Sequence, residues 1–254
     1  MRNPGLVVWE ALRAIERIVQ PGVSTAEIEA VVSEVFKSHR AEPLFLNFPN
    51  STPGWPTFPS VVCISINEEV VHGIPSPRRK LKEGDIVSID TGCKLDGWCG
   101  DAAVTFPVGK IDADKQHLLE VTQTVLFMAI ELMGKKSRWS EVAAAMEKYV
   151  KDHRFAMVED FVGHGIGRQM HEDPQVPNFV SRRAPRSADF RLEEGLVIAI
   201  EPMVNMGTKQ VRVLSDCWTQ VTRDGKPSAH FEHTVAISGI GPLVLTAGPN
   251  GELR

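Results

Sequence analysis

Five side chains in this sequence have the chemistry of hard divalent-cation ligands, and each stands where a strand end or a glycine-rich turn would present it: Asp90, Asp101, His164, Glu201 and Glu232. Asp90 and Asp101 lie on the two arms of one predicted hairpin, around the turn dipeptide Asp96-Gly97. The turn sets them roughly opposite each other, so both carboxylates can point to one spot. Like charges that close repel and raise a pKa unless a cation sits between them. Glu201 ends an almost wholly apolar run, Leu196 to Ile200, where a lone carboxylate is costly to bury. Glu232 lies in His230-Phe231-Glu232-His233-Thr234, at the start of the last long strand. His164 stands in Gly163-His164-Gly165-Ile166-Gly167, whose glycines leave the imidazole accessible and let the backbone approach closely.

Taken singly, each has a plainer explanation. A strand-end Asp is usually a cap or turn residue, and a lone His is more often structural than a ligand. The glycine run lacks the spacing of either nucleotide-binding fingerprint. Jointly, four carboxylates and one imidazole carry enough negative charge for two divalent ions. Manganese, iron and cobalt suit such a set, and zinc is compatible with it. Structural zinc prefers thiolates, so the mixture points to catalysis. Two ions about 3.5–4 Å apart can polarise a carbonyl and generate hydroxide at neutral pH.

Elements must bring these residues together. Apolar residues from Leu6 to Val19 recur at helical spacing, and Pro21-Gly22 ends the run. Ser24 to Glu27 reads as a capping box that opens a second helix. The proline-rich stretch from Asn47 to Pro59 reads as a loop. Strands are predicted over 61–66, 86–91 and 102–106, helices over 115–133 and 139–152, and strands again over 197–204, 211–221 and 231–238. The segment Leu81 to Asp90 resembles Leu192 to Glu201: a Glu-Gly turn, a buried apolar strand, then a carboxylate. A helix initiated by serine precedes each, at Ser24 and Ser140. Any turn-strand unit could look this way, but the matched carboxylate favours a duplication. The chain then forms a single catalytic domain, 1–254, of two halves, about 1–109 and 110–254, each contributing an acidic strand end to a shared centre.

The 254 residues are enough for one substantial core, and a net charge of −4 lacks the basic footprint of a nucleic-acid binder. The one basic stretch, Arg182 to Arg191, is short and interrupted, and reads as a solvated loop. No apolar run is long enough to span a membrane, and the N-terminal segment has no signal-peptide pattern. The four cysteines lack zinc-type spacing and read as free thiols in a reducing cytosol.

Val71-His72-Gly73-Ile74-Pro75, Ile89-Asp90, Gly100-Asp101, the glycine run around His164, His171-Glu172, Ile200-Glu201-Pro202 and Phe231-Glu232-His233-Thr234 resemble, in order and over nearly the whole chain, the motifs of type I methionine aminopeptidases. The resemblance implies the α/β (α+β) pita-bread fold of the creatinase and aminopeptidase group, with two pseudo-symmetric halves around a dimetal site. It implies two divalent ions (cobalt, manganese, iron, nickel or zinc) held by Asp90, Asp101, His164, Glu201 and Glu232, with Asp101 and Glu232 bridging. Glu201 would accept the proton of the attacking water. His171 would hydrogen-bond the scissile carbonyl, and His72 would contact the backbone beyond the first residue. Trp55, Phe58, Cys63, Met170 and Trp218 match the methionine pocket by position. The implied substrates are nascent polypeptide N-termini with a small second residue, met in the cytosol by a monomer with at most a transient ribosome contact.

The chain departs from the family pattern in several places. Trp55 and Phe58 stand where tyrosines are frequent, Met170 where phenylalanine is frequent, Val71 where cysteine is common and His230 where glutamine is common. Two rivals differ in class: a proline-specific peptidase or creatine hydrolase on the same fold, which usually carries an extra N-terminal domain, and a binding module that kept the fold but lost its chemistry.

Overall fold

The computed structural model describes residues 1–180 and 189–253, so most of the basic stretch from Arg182 to Arg191 lies outside the described residues. Among the described residues, four helices are built much as the periodicity predicts: α1 (Arg2–Glu16), α2 (Thr25–Ser38), α3 (Ala113–Met133) and α4 (Trp139–Asp152). Pro4 is tolerated in the first turn of α1, where a backbone N–H would have no helical partner. The capping box of α2 forms: Glu27 N donates to Ser24 Oγ at 3.3 Å, and Ser24 N donates to Glu27 Oε2 at 2.8 Å. The start of α4 corrects the serine-initiated expectation. Its N-cap is Arg138, and Ser140 lies inside the first turn. Asp189, far off in sequence, accepts from Ser140 N and Ser140 Oγ, both at 2.9 Å, so a remote carboxylate serves the orphan donors.

Strands β1 (Glu42–Pro43), β2 (Cys63–Ile66), β3 (Glu69–Val71), β4 (Ile86–Leu95) and β5 (Trp98–Pro107) precede α3. After α4 come β6 (Ala156–Met157), β7 (Gly163–Gly165), β8 (Glu172–Val176), β9 (Val197–Ile200), β10 (Met203–Asn205), β11 (Val211–Val213), β12 (Gln220–Thr222), β13 (Ser228–His230), β14 (Glu232–Ser238) and β15 (Gly241–Val244). The main sheet runs β1-β4-β5-β14-β9-β7-β8, with β2 also on β4 and β15 on β14. Two small sheets, β13-β10-β6 and β11-β12-β3, flank it. The strand predicted over 197–204 is therefore two strands in two sheets. Pro202 sits between them, with no N–H to continue the ladder. Phe231 separates β13 from β14, its N–H donating to Pro202 O at 3.4 Å, and the run over 211–221 is a hairpin.

The hairpin β4–β5 turns through Asp96 (φ 52°) and Gly97 (φ 75°), the two left-handed positions that a tight strand connection needs. Alternation divides the sheet into two faces. One carries Ile89, Val104, Ile198, Ile200 and Val235, which join Val8 and Ile15 of α1, Ile28 of α2, Leu118 and Val125 of α3 and Met146 of α4 in a single core. The helices cover that face, which leaves the other free to line a cavity.

Candidate metal centre and pocket

Strand register places all five candidate ligands on the uncovered face, on two neighbouring rungs. One rung reads Cys63, Asp90, Ala103, Glu232 across β2, β4, β5 and β14; His233 pairs with Ile200, so Glu201, one residue past β9, continues that rung. The next rung reads Gly92 and Asp101 across β4 and β5, and Thr234, Ala199 and His164 across β14, β9 and β7. Asp90 and Asp101 are thus diagonal neighbours rather than directly opposed, because Asp90 faces Ala103 and Asp101 faces Gly92. Small residues fill the intervening positions. At Gly92 a Cβ would lie 2.9 Å from Asp101 Oδ1, so glycine makes room for the carboxylate. Gly163 and Gly165 let β7 press between its neighbours: a Cβ there would come within 2.3 Å of Ala199 O or 2.1 Å of Asp173 O.

A ligand oxygen each from Asp101 and Glu232 and a ring nitrogen of His164 lie within 4.8 Å of one another. His164 Nδ1 is 2.9 Å from Gly165 O, the geometry of an N–H donating to a carbonyl, which leaves Nε2 as a lone-pair donor. That Nε2 is 3.7 Å from Glu201 Oε1. Asp90 Oδ1, Asp101 Oδ1 and Glu232 Oε1 are buried and have no hydrogen-bond partner among the described residues. Burial first, then mutual repulsion, pushes the carboxyls of Asp90, Glu201 and Glu232 well above the usual range; burial pushes Asp101 up to about 7. Burial, and then His171, lowers His164 to about 4. Buried acceptors without an internal partner, grouped beside a neutral imidazole, are a donor set that a bound cation would satisfy. The donor set fits hard divalent ions.

These residues floor a cavity of about 510 Å³. An adjoining wall is an apolar cluster of Phe45, Phe58, Cys63, Met170 and Trp218, with Phe48 packed against it and Cys63 paired with Asp90. Phe58 and Trp218 meet edge to face at 5.2 Å, and Trp218 Nε1 donates to Pro56 O at 2.8 Å. Burial and the neighbouring carboxylates raise the Cys63 thiol far above its ordinary range, so it lines the wall as a neutral group. Trp55 is not in this wall; it is 38% exposed. Phe45 and Phe48 line the cavity instead. Neither is flagged by the sequence, because both sit at the edge of the proline-rich stretch with no regular period.

His72 and His171 stand between this cavity and a second one of about 520 Å³, whose lining adds Phe161, Glu172, Asp173 and Gln175. His72 has φ 61°, a left-handed conformation that a bulky residue keeps only where its surroundings hold it. Its ring meets Phe161 at 5.5 Å and Trp218 at 5.9 Å. Burial lowers His72 to about 4 and also lowers His171, so both are neutral at pH 7 and each keeps one N–H to donate.

Residues 1–239 match metallopeptidase family M24. Methionine aminopeptidase 1 of Bacillus subtilis is 43% identical over 246 residues, covering 97% of this chain and 94% of that one. The crystal structure of methionine aminopeptidase from Thermotoga maritima is similar with a TM-score of 0.89 and 40% identity, over 97% of this chain and 94% of that chain. Prolidase from Pyrococcus furiosus shares the fold, with a TM-score of 0.70 and 20% identity, over 96% of this chain and 62% of that one.

Proposed function

Since the chain belongs to metallopeptidase family M24, we propose that it removes the N-terminal methionine of new polypeptides whose second residue is small. It is an aminopeptidase, a hydrolase on the pita-bread fold. The observation that carries the site assignment is the double rung: four carboxylates and an imidazole on one sheet face, beside an apolar wall, in one cavity. Asp90, Asp101, His164, Glu201 and Glu232 would hold two divalent ions, Asp101 and Glu232 being the most buried of the five. When bound, the ions supply Lewis-acid polarisation of the scissile carbonyl and acidify water.

The chain's own groups do the rest. The carboxylate floor receives the free α-amine of the substrate, which internal residues lack, and so limits cleavage to the first residue. Phe45, Phe58, Cys63, Met170 and Trp218 enclose an unbranched thioether side chain by dispersion and sulfur–aromatic contact. Glu201 takes a proton from the attacking water. His171 donates its N–H to the carbonyl oxygen as negative charge develops there. His72, beside Phe161, meets the backbone of the second residue and narrows the space for its side chain. We also read the chain as a cytosolic monomer of two related halves, about 1–109 and 110–254, touching the ribosome transiently. No helix among the described residues is long and apolar enough to cross a membrane.

The test is a peptide panel with and without chelator. Methionine should be released from Met-Gly and Met-Ala peptides, only when metal is present, and nothing should be released from Xaa-Pro peptides. Release from Xaa-Pro substrates alone would move the chain to the proline-specific branch. No metal-dependent turnover at all would leave a binding module.

A further inference from the structure

Glu201 is flanked by imidazole on both carboxylate oxygens: Oε1 lies 3.7 Å from His164 Nε2, and Oε2 lies 3.7 Å from His230 Nε2. His164 is a candidate metal ligand, whereas His230 has no role in the proposed reaction. His230 closes β13 and is 1% exposed, and neither of its ring nitrogens has a hydrogen-bond partner among the described residues. Thr105 pins its main chain on both sides: His230 N donates to Thr105 Oγ1, and Thr105 Oγ1 donates to His230 O, both at 2.8 Å. Glu201 is held at its own main chain, where Asn178 Nδ2 donates to Glu201 O at 3.1 Å. Both backbones are therefore fixed, and only the two side chains can adjust. An imidazole keeps at least one N–H in either tautomer, and a buried donor left unpaired costs about as much as a lost hydrogen bond. The Glu201 carboxylate is the strong acceptor within reach, and a shift of well under 1 Å closes the gap to about 3 Å.

We propose that His230 is a positioning residue for Glu201: its Nε2–H holds Oε2, which keeps Oε1 turned to the His164 side, where metal and water are to be met. The catalytic consequence rests on the dimetal peptidase reading; the hydrogen bond does not. Partners behind a ligating carboxylate fix its orientation, and losing one costs about 10–100-fold in metal affinity or activity.

The experiment compares His230→Met, an unbranched apolar side chain without a donor, with His230→Gln, which keeps an N–H. Manganese binding to each chelator-stripped protein is followed by titration calorimetry, thermal melts check folding, and kcat and KM are measured on a Met-Ala peptide. The Met variant should bind manganese about tenfold more weakly than wild type and lose about 10–100-fold in kcat with KM within about twofold, while the Gln variant stays within about threefold of wild type in both. Equal affinities in the Met and Gln variants, whether both normal or both weakened, would overturn the proposal. If wild type binds manganese yet cleaves nothing, the peptidase reading fails, and the calorimetric contrast between the two variants still decides the role of His230.

Discussion

Asp101 and Glu232 are 3% and 2% exposed, as deeply buried as Cys63 at 4% and Phe58 at 2% in the apolar wall of the same cavity. The two walls reach that burial by opposite means. Phe58 packs on Trp218, and Trp218 is hydrogen-bonded to Pro56, so the apolar wall is satisfied within the protein. The acidic wall is not: its oxygens are orphaned and raise one another's pKa. Placement follows the same division. Regular strand register carries the carboxylates, and it brings a ligand atom each of Asp101, His164 and Glu232 within 4.8 Å of one another. Loops and strand ends carry most of the apolar wall, which needs only shape and volume. On the proposed function, one wall would determine where bond cleavage occurs and the other which side chain is accepted.

Breaking the acidic wall should have the largest effect. Asp101→Ala or Glu232→Ala should abolish binding of the second metal ion and, with it, turnover; unchanged stoichiometry in a metal titration would remove the bridging role. His171→Ala, which leaves both walls intact, should lower kcat by about 10²–10³, the scale for losing one oxyanion donor. Stopped-assay kinetics with retained metal content would separate this from ligand loss.

A third effect follows from the unsatisfied charge. In the metal-free protein Asp101 is pushed from 3.8 up to about 7. Between those values the folded chain retains a proton that the unfolded chain has released, so stability falls as pH rises through the window. Melting temperature in chelator should therefore decline from about pH 4 to about pH 7, and Asp101→Asn should flatten the decline. Saturating metal should raise the whole profile. A chelated protein with a flat profile would mean that these carboxyls are not strained by burial.

Breaking the apolar wall should change selectivity and packing while leaving metal binding intact. Phe58→Ala should cost about 3–5 kcal/mol of stability and raise KM for methionine substrates, because it opens a void in the side-chain pocket. Trp55→Ala should be the mildest, within about 0.5 kcal/mol of wild type and with unchanged kcat/KM, as befits an exposed residue outside the cavity. A large loss of affinity at Trp55 would place it in the wall after all.

The contrast also explains what could be read in advance. Asp90, Asp101, Glu201 and Glu232 were visible because each interrupts or ends an apolar strand pattern, and His164 because glycines frame it. The capping box at Ser24 was visible because all its parts lie within four residues. The cap of α4 was not, since its acceptor, Asp189, is distant in sequence. Trp55 looked like a pocket residue by position, whereas Phe45 and Phe48 turned out to line the cavity; no local period distinguishes a loop aromatic that folds inward from one that folds out.

Residue types, order and alternation by themselves determined the helices, the β4–β5 hairpin and the set of hard donors, because these depend on neighbours one to four positions apart. Tertiary structure alone decided that Asp90 and Glu232 share one rung while Asp101 and His164 share the next, that the chain changes sheet at Pro202 and Phe231, and that His230 ends beside Glu201. Those outcomes depend on pairing between strands separated by other elements, such as β5 with β14 and β9 with β14, and register across such pairs is set by the whole sheet closing against its helices rather than by any segment within it.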